Sequence, residues 1–126
     1  MLLRLRQRAS ETLSTARQLV LSGFGPADIQ AEVLPCESVG LALYVLVPRA
    51  SDLLFNLENS PLVVATADTW QARGPARLLT PHEYPEGLAI ARTAEAAWSE
   101  VVEIQPTRLQ LRPPLGQAQG ETIDVS

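Results

Sequence analysis

Hydrophobic and polar residues recur with two different periods along this chain, and the change from one to the other marks the first boundary. Leu2, Leu5, Ala9, Leu13 and Ala16 return at about helical spacing, with Arg4, Arg8, Glu11 and Arg17 between them, which predicts a helix over residues 2–17. A membrane-surface helix would carry aromatic anchors on its apolar face. This face has none, so the helix is expected to pack against the domain.

Beyond it the period shortens to that of strands. Gln18 to Ser22 is a short run, followed by the turn residues Gly23-Phe24-Gly25-Pro26. Ile29, Ala31 and Val33 alternate with Asp28, Gln30 and Glu32, the period of a half-buried strand, until Pro35 to Ser38 interrupts it. Gly40 to Val47 is almost wholly apolar, as in a strand buried on both faces, and Pro48 ends it. Ser51 is placed to cap a helix running to Asn59, with Leu53, Leu54 and Leu57 as its stripe and Ser60-Pro61 as its stop.

Leu62 to Thr66 is a further apolar strand. After Asp68-Thr69, the segment Trp70–Leu79 places Ala72, Gly74, Ala76 and Leu78 on one face and Gln71, Arg73 and Arg77 on the other, with a bulge expected at Gly74-Pro75. Thr80 to Gly87 reads as a loop, Leu88 to Ser99 as an Ala-rich helix carrying Trp98, and Val101 to Leu111 as an alternating strand. Pro113 to Gly120 reads as a loop and Thr122 to Val125 as a last short strand. Many short strands with few helices predict a mainly β fold, a small antiparallel barrel in one domain over residues 1–126.

Composition narrows the functions. A length of 126 residues is enough to bury a core without staples. The net charge of −4 provides no field for nucleic-acid phosphates or anionic membranes, so neither is an expected partner. All ten basic residues are arginines, which removes Schiff-base chemistry by lysine. Cys36 is the only cysteine, so no internal disulfide forms, in keeping with a reducing cytoplasm. The basic start Met1 to Arg8 lacks the apolar stretch of a signal peptide, and no apolar run reaches the roughly 18 residues of a membrane span. His82 has no Cys or His neighbour at metal-ligand spacing, and no histidine is indicated as a base for Cys36. A surface histidine, an inert thiol and no metal site are the expectations.

Residues 43–61 resemble the core of the FMN-binding split barrels of the pyridoxamine 5'-phosphate oxidase-like family: a strand, a phosphate-binding turn, a short helix with Asn56-Leu57, and the closing Pro61. The next strand 62–66, the run from Trp70 through Gly74-Pro75-Ala76, and Val102 to Leu109 are similar to later strands of that family, so the likeness extends over about residues 17–125. It implies a six-stranded antiparallel split barrel that acts as a homodimer, with FMN at the interface, and a flavin-dependent oxidoreductase activity on an unnamed substrate. It also implies cofactor-binding roles. Ser51 matches the hydroxyl residue that meets the FMN phosphate, and Arg49 stands near enough to supply a cation. Leu53 stands where the family has a basic residue and Val47 where it has threonine. Trp70 and Gln71 fall where relatives approach the flavin ring.

Each residue also has a plainer reading. On that reading Ser51 is only a helix cap, Arg49 is solvated, and Trp70 is a core or interface residue. Arg73, Arg77 and Arg108 either meet an anionic ligand or, more ordinarily, pair with carboxylates such as Glu32 and Glu103. Two other functions remain open. One is a degenerate barrel acting as a binding or interaction module without flavin. The other is a barrel for a deazaflavin or heme, the latter disfavoured by the sparse His and Cys.

Overall fold

The computed structural model describes residues 2–26, 28–111 and 121–125. Among these the chain forms two α-helices and eight strands: α1 (Leu2–Leu13), β1 (Gln18–Gly25), β2 (Asp28–Val39), β3 (Ala42–Pro48), α2 (Asp52–Asn59), β4 (Leu62–Thr66), β5 (Trp70–Leu78), β6 (Ser99–Ile104), β7 (Arg108–Leu111) and β8 (Glu121–Asp124). Six strands close into an antiparallel barrel in the order β4-β1-β2-β3-β6-β5, with β5 pairing back onto β4. The β7–β8 hairpin extends from β5 outside that closure.

Two long strands serve two sheets each. Residues 28–35 of β2 pair with β1, whereas Cys36 to Val39 pair with β3. Trp70 to Arg73 of β5 pair with β7, whereas Ala76 to Leu78 pair with β6. The first sheet therefore holds β1, β4, β7, β8 and the leading halves of β2 and β5; the second holds β3, β6 and the trailing halves.

The changeover in β5 falls at Gly74. The connection from β6 to β7 crosses it closely, so that a Cβ there would overlap the Gln105 carbonyl oxygen and lie 3.0 Å from Pro106 Cα. Glycine is required by that approach, not by its backbone angles. The crossing is fixed by hydrogen bonds from Gln105 N to Pro75 O (3.1 Å) and from Thr107 N to Arg73 O (2.8 Å).

The all-apolar run in β3 is buried on both faces, as its composition predicts. Leu43, Val45 and Val47 point into the barrel core with Leu21, Val63, Ala65, Trp70 and Leu109. Tyr44 and Leu46 point outward into a second cluster with Leu79, Leu88, Ile90 and Val101. Full burial of each such side chain stabilises by roughly 1.5–3 kcal/mol. The lid over that outer cluster is the segment 80–98, which consists of three short 3-10 turns, Pro81–Glu83, Ala89–Arg92 and Ala94–Trp98.

This corrects the expected helix over 88–99. Thr93 is extended (φ −80, ψ 161) and its hydroxyl bonds the Ile90 carbonyl, which divides the segment. Leu88 and Ile90 are the hydrophobic residues of this stretch that are buried, so tertiary packing on the sheet outweighs the helical propensity of the alanines. The alternating run 101–111 is likewise two strands, split where it crosses Gly74. The turn expected at residues 23–26 begins later, because β1 continues through Gly25. The Pro35–Ser38 interruption is not a break but the point where β2 changes partner. The loop expected over 113–120 lies outside the described residues.

α1 closes on β2 through Ala9 and Leu13, and α2 packs on β1, β2 and β3 through Leu53, Leu54 and Leu57. Asn56 of α2 is fully buried, donates from Nδ2 to Asp28 O (2.9 Å), and lies against Gly25.

Candidate functional site

The alternation in β2 faces the opposite way from the usual rule. Ile29 and Val33 are 69% and 63% exposed, while Gln30 and Glu32 take the inward parity. Register dictates this. Leu34 and Cys36 are buried, Leu19 pairs with Leu34 and Leu21 with Glu32, and a one-residue slip would expel the buried pair. The outer surface of the first sheet is consequently apolar over β1, β2 and the start of β4, and polar over β5 and β7.

Cross-strand partners arrange that surface in rows. One row runs Val33, Val20, Thr66, Gln71, Gln110; the next runs Ala31, Ser22, Val64, Arg73, Arg108. Phe24 pairs with Ile29 beyond them, beside Leu62. Phe24, Ile29, Val33 and Leu62 are all more than half exposed. A shallow groove of about 370 Å³ lies between Phe24, Ile29, Leu62, Val64 and Arg73. A second, more polar cleft of about 500 Å³ adjoins it between Arg17, Val20, Val33, Thr66 and the Ala67–Thr69 turn. The outer surface of the second sheet is covered by residues 80–98, whereas nothing in this chain's described residues covers the first.

Gln71 belongs to this open surface, donating from Nε2 to Thr66 Oγ1 (3.2 Å). Trp70, its neighbour, has the opposite parity. It is 0% exposed in the barrel core, and its Nε1 has no hydrogen-bond partner among the described residues. The indole is thus a core residue and cannot stack on a ligand at the surface. Arg73 projects from the groove, while Arg108 pairs with Asp124 (3.3 Å).

The turn after β3 is a separate region. Ser51 caps α2, its Oγ accepting from Leu53 N (3.1 Å) while donating to the Glu32 carboxylate. Arg49 is more than half exposed to solvent, and its side chain is directed at β6 and residue 97, away from the helix start. Its Nε bonds Glu100 (2.9 Å), a guanidinium N–H donates to Ala97 O (2.8 Å), and its backbone N–H donates to Trp98 O (3.0 Å). Val47 and Leu53 are wholly buried core residues. Of the four residues assigned by resemblance, Arg49 and Ser51 share the turn, Trp70 is interior, and Gln71 is on the open sheet. The turn as folded does not fit an FMN phosphate, because its hydroxyl and its cation already have carboxylate partners. In sequence Glu32 is a strand residue expected to pair with an arginine; the signal for its role at the turn is a polar side chain at an inward parity.

On the covered sheet, Glu103 sits between Tyr44 and Arg77, its partners in both registers. Tyr44 OH donates to it (2.9 Å), as does Arg77 (3.2 Å), which also binds Glu83 (2.6 Å). Burial first, and then the Glu103 hydrogen bond, push the Tyr44 hydroxyl up to about 12. Burial opposes ionisation of Glu103, yet hydrogen bonds from Tyr44, Gln105 and Arg77 hold its carboxyl below the usual range. Glu83 is held at about 2, chiefly by the Thr80 backbone N–H and then by Arg77. These groups pin the lid segment to the sheet. Burial pushes the Cys36 thiol up to about 11 despite the Arg17 charge, so it is protonated at neutral pH. His82 is exposed beside Thr80, and no group of metal-ligating side chains occurs among the described residues. No described helix is long and apolar enough to cross a membrane.

No protein-family model matches the chain, and no curated protein matches it. Solved structures do. General stress protein 26 from Bacillus anthracis str. Sterne is 16% identical, with 94% of this chain and 98% of that one aligned at a TM-score of 0.66. A protein related to general stress protein 26, of the pyridoxinephosphate oxidase family, from Clostridium acetobutylicum is 9% identical over 97% and 95% of the two chains, with a TM-score of 0.69. A FAD-binding protein from Mesorhizobium loti is 12% identical over 82% and 90%, with a TM-score of 0.60. At such identities the likeness is one of fold. The chain has the fold of these proteins, the split barrel that residues 43–61 resemble.

Proposed function

We propose that two copies of this chain pair through the open face of the first sheet and hold a flavin-type ring at that junction for oxidation–reduction. The observation that carries this is the contrast between the two sheets. The second has its apolar outer face covered by residues 80–98, while the first leaves Phe24, Ile29, Val33 and Leu62 exposed together. A contiguous apolar face of this kind favours association. Within it, the Gln71–Thr66 pair supplies amide and hydroxyl groups for the polar edge of a heterocycle. When bound, the flavin supplies the hydride chemistry; Gln71 and Thr66 would orient it, and the apolar rows would exclude water.

FMN is the ligand to test first. Purified protein absorbing near ~450 nm, as a held flavin does, together with a dimer in sedimentation, supports the reading. Colourless protein that takes up no flavin on titration refutes the flavin part, and a monomer at micromolar concentration refutes the interface. A colourless dimer would instead support an interaction module without flavin.

A further inference from the structure

We propose that Glu32 is the resident anion of the α2 N-terminus, and that it closes the Ser51 turn to phosphate. Any flavin held by this barrel is then recognised by its ring system and not by a terminal phosphate. The second statement rests on the flavin reading above; the first does not.

Three observations converge. The Glu32 carboxylate accepts the hydroxyl hydrogen of Ser51, the cap whose oxygen also receives Leu53 N–H. That places a negative charge at the helix end where the backbone dipole and free N–H groups favour one. Next, Leu53 is turned fully into the core, its Cδ1 3.1 Å from the position of a Cβ on Gly23, so no cation projects from the first turn of the helix. Finally, Arg49 is held away by Glu100 and Ala97 O, on the strand beside β3 and the lid. A phosphate entering here would have to displace Glu32 and would meet its charge without a compensating cation.

Glu32 is carried there by register. Its pairing with Leu21 gives it the inward parity of β2, and α2 packs on β1 and β2. The turn is thus satisfied from within the chain, 19 residues away in sequence.

The test compares wild type with Glu32→Gln, which keeps an acceptor for Ser51 but removes the charge, and with the double variant Glu32→Ala, Leu53→Lys. Thermal melts in sodium phosphate against sodium chloride at equal ionic strength report phosphate binding without any flavin. Wild type is expected to show no phosphate-dependent rise in Tm, and the variants a rise; Glu32→Gln serves if the double variant does not fold. Titrations with FMN and riboflavin form the second arm. Wild type is expected to bind both within about twofold, and the double variant to prefer FMN at least tenfold, the gain from a charge-assisted phosphate contact.

A wild-type preference for FMN of tenfold or more that disappears in Ser51→Ala would overturn the proposal while leaving the flavin reading intact. Wild type that binds neither flavin ends the flavin reading, and the phosphate melts then decide the role of Glu32 alone. A Ser51-dependent phosphate shift in wild type, or the absence of one in every folded variant, overturns it.

Discussion

Replacing Gly74 with alanine should cost this fold more than any other single methyl group on the barrel wall. The new Cβ would overlap the Gln105 carbonyl oxygen and stand 3.0 Å from both Gln105 C and Pro106 Cα. All three are backbone atoms, so no rotamer change relieves the clash, and the crossing strand must move. Its movement strains the hydrogen bonds Gln105 N to Pro75 O and Thr107 N to Arg73 O. Each contributes roughly 0.5–1.5 kcal/mol net, and about 1–3 kcal/mol if a buried partner is left unpaired. Backbone distortion adds about 1 kcal/mol. Alanine returns roughly 0.4–1 kcal/mol by restricting the unfolded chain. The balance is a loss of about 2–4 kcal/mol. Urea unfolding should show it as a lower midpoint at constant slope, and a thermal melt as a fall in Tm on the order of 10 °C. Gly40→Ala is the control. That residue has φ +61 and open space around it, so only the left-handed backbone penalty of roughly 1–2 kcal/mol applies. A Gly74→Ala loss below about 0.5 kcal/mol, within the usual scatter of surface changes, or one no larger than the control's, would refute the reasoning.

Phe24→Asp, at a side chain 61% exposed, should abolish dimers in sedimentation while leaving Tm within a few degrees; an unchanged sedimentation coefficient would remove the open sheet as the interface. Acid should loosen the lid. Glu83 has a folded value of about 2 against an ordinary 4.5, so its contribution is complete above about 4.5 and lost as pH falls toward 2. Melts across that range should show Tm falling in wild type and falling less steeply in Arg77→Gln, which removes the partner of both Glu83 and Glu103. Cys36, buried and pushed up to about 11, should react with a disulfide reagent at pH 8 only as fast as the protein unfolds; prompt labelling of folded protein would contradict its burial.

The strands that need only local information were legible. The burial of β3 on both faces follows from an apolar run, and the start of α2 from the ability of Ser51 to cap it. The facing of β2 was not legible, because Ile29, Ala31 and Val33 show a period without a direction. Direction is set by Leu34 and Cys36 further along the strand and by pairing with β1. The Ala-rich stretch 89–98 resembles a helix by propensity, but Leu88 and Ile90 dock where Tyr44 and Leu46 wait on the sheet. The candidate site divides the same way. The ordinary pairing expected for the strand arginines is found for Arg77 with Glu103 and for Arg108 with Asp124. The partners of Arg49 and Ser51 are 51 and 19 residues distant, and only the closed barrel brings them together.

Among the described residues, closure of the barrel leaves β8 at the end of the strand order, with only β7 beside it. An unpaired strand margin is a template on which another chain can add, and the longer and more apolar it is, the greater the danger of sheet-to-sheet aggregation. Here the margin is four residues long, from Glu121 to Asp124, and Asp124 is held outward by Arg108. Ile123 spends its apolar surface inward on the core. A short, charged margin offers few hydrogen bonds to a stray strand. The protein can therefore display the apolar face of its first sheet for side-chain contact while giving little opportunity for backbone addition.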